Sequence, residues 1–130
     1  MGRRITGVIF SDLGEGSYFM ALDWVQRALR EKLGFSPYPA TLNLRLDPED
    51  IPVWREIKGS AKSAEIPSPK PTFCAARCFP AEIGSKVRGA VIVPGVAGYP
   101  EDKIEVIAPV RVKDELRVKD GDRIALEFLS

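Results

Sequence analysis

In Thr41-Leu42-Asn43, the outer two residues of an extended segment point the same way, about 6–7 Å apart, so a hydroxyl and an amide oxygen can approach one small cation. Mg2+ takes hard oxygen ligands and keeps positions for water and substrate phosphates, so two neutral ligands suffice when a triphosphate brings the charge. An exposed polar strand face would use the same alternation. Glu105, inside Ile104-Glu105-Val106-Ile107-Ala108, either faces solvent or lies in a site, where a carboxylate can take a proton from a substrate hydroxyl. The third feature is the turn Asp12-Leu13-Gly14-Glu15-Gly16-Ser17-Tyr18. Two glycines there let the backbone approach a ligand, and successive N–H groups can cradle phosphate oxygens. It is neither a Walker pattern nor a dinucleotide fingerprint, and an ordinary bend fits it too. Tyr18 and Phe19 can stack on a base or enter the core. Arg111 and Lys113, just past Pro109, can supply local positive charge to a polyphosphate or remain surface cations.

The chain has no histidine, which removes Ser-His-Asp triads, Cys-His dyads and the common zinc sites together. Carboxylates, amides, hydroxyls, cations or a bound metal must carry any chemistry. With 19 Lys+Arg against 18 Asp+Glu, no whole-molecule field draws in nucleic acid or an anionic membrane, so an anion site must be local. Cys74 and Cys78 would lie about 13 Å apart on a strand, too far for a disulfide, and are expected to be reduced, buried thiols. No apolar run approaches the roughly 20 residues that span a bilayer, and Arg3-Arg4 leads into an alternating segment rather than a signal core, so a cytoplasmic protein is expected.

These residues need a scaffold, and 130 residues at 45% hydrophobic composition suit one domain over residues 1–130. Strands are expected at Ile5–Phe10, Thr41–Leu46, Phe73–Phe79, Val87–Val93, Lys103–Ala108 and Arg123–Leu129. Leu42, Leu44 and Leu46 should face the core, with Thr41, Asn43 and Arg45 on the other side. Trp24, Val25, Ala28, Leu29 and Leu33 fall at helical spacing, with Asp23 as cap, Gln26 three residues later and Gly34 as stop. Lys119-Asp120-Gly121-Asp122 reads as a tight turn, and Pro67–Pro71 as a loop. Asp47–Thr72 otherwise gives no clear pattern. About six strands and one main helix indicate a small, mainly β single-domain barrel.

Taken in order, Leu-Gly-Glu-Gly-Ser-Tyr-Phe at 13–19, Leu-Gly-Phe-Ser-Pro-Tyr-Pro-Ala-Thr-Leu-Asn-Leu at 33–44, Ile-Glu-Val-Ile-Ala-Pro at 104–109 and Leu-Arg-Val-Lys-Asp-Gly-Asp at 116–122 resemble the archaeal CTP-dependent riboflavin kinases. The likeness runs from about Gly7 to Phe128 and is weakest between Asp47 and Ala90. It implies a cradle-loop β-barrel that moves the γ-phosphate of CTP to the 5′-hydroxyl of riboflavin, giving FMN and CDP. By the same resemblance, Leu13, Gly14, Glu15, Gly16, Ser17, Tyr18, Val110, Arg111, Val112 and Lys113 hold the nucleotide. Thr41 and Asn43 hold one Mg2+ bound with CTP, and Glu105 contacts the flavin and is the expected base. The family usually has glycine where this chain has Asp12 and Ala40. Its flavin-contacting threonine falls at Ala97.

No partner beyond CTP and riboflavin is expected, neither nucleic acid nor membrane, and the chain should act as a monomer. Two rivals follow from the same residues. A non-catalytic relative would keep the nucleotide pocket while Asp12, Ala40 and Ala97 remove flavin phosphorylation. A swapped-hairpin DNA-binding regulator would use Lys113–Ile124 as strand-turn-strand, against which the balanced charge and missing basic arm both count.

Overall fold

The computed structural model describes residues 2–11, 20–60, 63–66, 76–95 and 97–129. Alternating apolar residues form strands β1 (Gly2–Phe10), β2 (Leu42–Leu46), β3 (Ala64–Ile66), β4 (Ala76–Ile83), β5 (Val87–Pro94), β6 (Lys103–Ile107) and β7 (Arg123–Leu129). Six of them run in the order β4-β5-β6-β2-β1-β7, and β7 pairs again with β4, so the antiparallel sheet closes into a barrel. Closure removes the open sheet edges that would otherwise invite another chain. β3 lies outside the ring, paired to the first residues of β4.

The strand expected at Phe73–Phe79 runs further than its expected end: its described part begins at Ala76 and continues through Pro80 to Ile83, and residues 73–75 lie outside the described residues. Proline lacks an N–H for the ladder and is expected to end a strand. Here Pro80 pairs with Ala90 on one side only. On the other side, β3 pairs with Ala76–Cys78 and β7 with Ala81–Ile83, and Pro80 falls between them, where no donor is required.

Helix α1 (Asp23–Leu33) forms where the periodicity places it and stops at Gly34, whose φ of 82° is the left-handed conformation glycine adopts without strain. Asp23 is not its cap. Leu22 holds the cap position, Asp23 is the first helical residue, and the Gln26 side-chain amide donates to the Met20 carbonyl at 2.7 Å. A second helix of similar length, α2 (Ile51–Ser60), follows a 3-10 turn at Pro48–Asp50 in the stretch that carries no clear sequence pattern. The described structure thus has two main helices rather than one. Pro48 and Pro52 sit at the starts of these turns, where a missing N–H costs little. α3 (Val112–Glu115) is a single turn, so Lys113–Ile124 reads helix-turn-strand and not strand-turn-strand.

Two apolar cores share the sheet. Inside the barrel, Ile5, Leu44, Phe79, Leu126 and Phe128 pack with Trp54 and Ile57 of α2, and the Trp54 ring lies 5.4 Å from both Phe79 and Phe128. Outside it, α1 lays Val25 and Leu29 over Cys78, Ala90, Ile92 and Ile107. Each Val, Leu, Ile or Phe side chain among them contributes about 1.5–3 kcal/mol when taken from water. Gly89 makes the β5–β6 approach possible, because a Cβ there would meet the Ile107 carbonyl oxygen at 2.3 Å. Among the described residues, no helix is long and apolar enough to cross a membrane.

Candidate functional site

β2 and β6 pair so that Asn43 stands opposite Glu105. Leu42, Leu44 and Leu46 of β2, with Ile104 and Val106 of β6, enter the barrel core, so strand alternation turns Asn43 and Glu105 outward. Thr41, one residue before β2, keeps the same face. Its Oγ1 lies 3.3 Å from Asn43 Oδ1 and 3.5 Å from Glu105 Oε1. Both distances exceed the usual 2.7–2.8 Å or so of a hydroxyl hydrogen bond, so the three oxygens form a loose cluster. Ligands about 2.1 Å from an octahedral cation sit about 3.0 Å from one another, and the Thr41–Asn43 spacing is close to that edge. Among the described residues, no group of three or more His, Cys, Asp and Glu could hold a metal. A cation here would draw on the neutral Thr41 and Asn43 oxygens, with the Glu105 carboxylate beside them.

The other oxygen of Glu105 is held from the opposite side. The Tyr99 hydroxyl donates to Oε2 at 2.5 Å, within the range of hydroxyl-to-carboxylate bonds. Sequence reasoning missed this residue. Tyr99 lies in the β5–β6 connection, where no periodicity fixes the direction of a side chain. Ala97, on the same connection, is exposed in a turn, and among the described residues it is Tyr99 that reaches Glu105 from this loop.

Beside Thr41 a cavity opens, lined by Tyr38, Ala40, Val110, Arg111, Val112 and Lys113 as well as Thr41 itself. The Tyr38 N–H donates to the Ala108 carbonyl at 2.7 Å, which draws the proline-rich segment across the end of β6. Among the described residues, the exposed large hydrophobic side chains are Tyr38 and Val110, and both line this cavity. The fold therefore brings 41 and 110–113 together across about 70 residues of chain. The two cations are already engaged: Arg111 Nη1 pairs with Asp114 at 2.6 Å and Lys113 Nζ with Asp120 at 2.9 Å. Asp120 also accepts from the Ser11 hydroxyl. The Ser11 hydroxyl first, and then the Lys113 ammonium, hold the Asp120 carboxyl below the usual carboxylate range. This places Ser11, the last described residue before the glycine turn, next to the 110–113 wall. Asp12, Leu13, Gly14, Glu15, Gly16, Ser17 and Tyr18 lie outside the described residues.

A second cavity lies beyond Tyr99, between α2 and the end of β5, with Trp54, Lys58, Val93, Tyr99 and Lys103 in its walls. Tyr99 is thus common to this groove and to the Glu105 cluster.

Comparison with known proteins bears on the same residues. The family model CTP-dep_RFKase, described as Domain of unknown function DUF120, matches residues 9–128. A riboflavin kinase of Pyrobaculum aerophilum is 41% identical over 129 residues, covering 97% of this chain and 60% of the relative. One of Methanoregula boonei is 41% identical over 131 residues, covering 95% and 56%. That of Archaeoglobus fulgidus is 36% identical over 128 residues, covering 97% and 54%. The chain spans between half and two thirds of the length of these relatives. The matched span takes in all of the barrel but most of β1 and the last residue of β7, together with the Thr41–Asn43–Glu105 cluster and the 110–113 wall, and on that match the chain belongs to the CTP-dependent riboflavin kinase domain family.

Proposed function

We propose that this domain is a cytoplasmic CTP-dependent riboflavin kinase, transferring the γ-phosphoryl group of CTP to the riboflavin 5′-hydroxyl to give FMN and CDP. One observation carries the reading: Glu105, distant in sequence, meets Thr41 and Asn43 in one cluster, and Thr41 also lines the cavity walled by Val110–Lys113. In this reading Val110, Arg111, Val112 and Lys113 hold the nucleotide together with Leu13–Tyr18. Tyr38 and Val110 offer apolar surface to the base. Thr41 and Asn43 hold Mg2+, which when bound neutralises phosphate charge. Glu105 takes the proton of the ribityl hydroxyl as the bond from oxygen to the γ-phosphorus forms and the bond to the β-phosphate oxygen breaks. The protein's contribution is mostly positioning and fixed dipoles. The flavin approaches from the Ala97–Tyr99 side, opposite the nucleotide.

The test is FMN formation from riboflavin, Mg2+ and either CTP or ATP. FMN and CDP with CTP, and far less product with ATP, are expected. Cytidine nucleotide binding without FMN would instead support a non-catalytic relative, a reading favoured by the exposed, hydroxyl-free Ala97. Salt-sensitive DNA binding would support the regulator.

A further inference from the structure

We propose that Tyr99 is the positioning residue for Glu105, fixing the carboxylate so that Oε1 faces Thr41 and the incoming hydroxyl. A glutamate has several free torsions, and an exposed one visits many rotamers. A single hydroxyl at 2.5 Å from Oε2 removes most of that freedom and leaves the other oxygen, 3.5 Å from Thr41 Oγ1, turned to the cluster. The role follows from this geometry, and its catalytic consequence rests on the kinase reading above.

The loop that carries Tyr99 is anchored for such a task. Arg55 of α2 grips Glu101 with a two-pronged contact, Nε to Oε1 at 2.7 Å and Nη2 to Oε2 at 2.5 Å. Arg45 of β2 holds the Asp102 carboxylate at 3.0 Å, and the Leu46 N–H donates to the Asp102 carbonyl at 2.6 Å. Lys103 places its ammonium 5.6 Å from the centre of the Tyr99 ring. The two residues gripped by arginines thus lie between Tyr99 and β6, which carries Glu105. A planar arginine fork fixes direction as well as distance.

Tyr99→Phe removes one oxygen and keeps the ring. Misplacing a reacting group by about 1 Å can cost about 100-fold in rate. Turnover of Tyr99→Phe is therefore expected to fall by about ten- to a hundredfold, with KM for CTP and riboflavin within about threefold of wild type, the pattern of a lost transition-state interaction. In a Glu105→Gln background the same change should add little, because the two residues act as a unit. Crystal structures of wild type and Tyr99→Phe read the contact with no dependence on turnover, and the Glu105 carboxylate is expected to leave its place beside Thr41. Wild-type kcat in Tyr99→Phe overturns the proposal, as does a Glu105 side chain unmoved in the variant. A raised KM for riboflavin at unchanged kcat also overturns it, because Tyr99 would then bind substrate directly. Should the wild-type chain make no FMN, the kinase reading fails by itself, and the two crystal structures still decide whether Tyr99 holds Glu105.

Discussion

The β2–β6 pair and the β4–β5 pair belong to one barrel and meet opposite fates on its outer surface. On β2 and β6 the inward residues are buried, while the outward Asn43, Arg45 and Glu105 stay partly or fully accessible. Where α1 covers β4 and β5 both faces are buried, with Phe79 and Val91 pointing in and Cys78, Ala90 and Ile92 pointing out beneath α1, while Arg77, Pro80 and Arg88 of the same strands stay exposed. The helix makes the difference. Where α1 covers the sheet, an outward polar group would lose water with no partner, at a cost of about 1–3 kcal/mol, and apolar side chains fill the face. Where α1 stops, the same ladder leaves polar groups accessible. Glu105 lies at the border, paired with Asn43 on one side and with Ile92 on the other.

The contrast is broken most severely by replacing Thr41 and Asn43 together with Ala. FMN formation should fall at least about 100-fold, the scale of losing one preorganised electrostatic group, while Tm stays close to wild type. Full activity in the double variant would remove the metal role from these residues. Leu29→Ala should do the opposite. Emptying its place above Cys78 should destabilise the fold by about 2–5 kcal/mol in denaturant titrations, with kcat per folded molecule unchanged.

Cys78 sharpens the comparison from the covered side. Burial pushes its thiol up to about 12. Peptide mapping after iodoacetamide at pH 8 should find Cys78 unmodified in the folded chain and alkylated faster in Leu29→Ala. An unfolded thiol titrates at about 8.5, so the unfolded chain releases the proton first as pH rises. The contribution of Cys78 to stability is therefore constant below about pH 8.5 and declines between there and about 12.

The smallest effect is expected at the open side's margin. Asp120, whose carboxyl the Ser11 hydroxyl and Lys113 hold below its ordinary range, stabilises the ionised folded form above the unfolded value of about 3.9 and loses that effect as pH falls through the lower folded value. Asp120→Asn should therefore lower Tm slightly at pH 7 and by less at pH 2. An equal difference at both would mean that charge plays no part in the contact.

Much of this was readable in the chain. Thr41 to Leu46 alternates so cleanly that one register places three leucines inward and Thr41 and Asn43 outward. The period from Trp24 to Leu33, ended by Gly34, leaves one helix face to bury. α2 was not readable, because its buried residues reduce to Trp54 and Ile57, too few to establish a period beside Pro52 and Gly59. The run of β4 past Phe79 was not readable for a different reason: whether a strand tolerates proline, here Pro80, depends on which neighbours it has at that residue, a property of the sheet. Tyr99 had no signal, since its partner lies across a turn whose shape two arginines set.

Residue types and alternation by themselves determined that this is a β-rich chain with hard oxygens on one strand, a carboxylate on another and no histidine chemistry, because period and composition are local properties. Which strands adjoin, and hence that Asn43 faces Glu105 and that Thr41 meets the 110–113 wall, was decided by barrel closure. Those contacts join residues far apart in the chain, and only the burial of two cores around one closed sheet fixes the register that makes them.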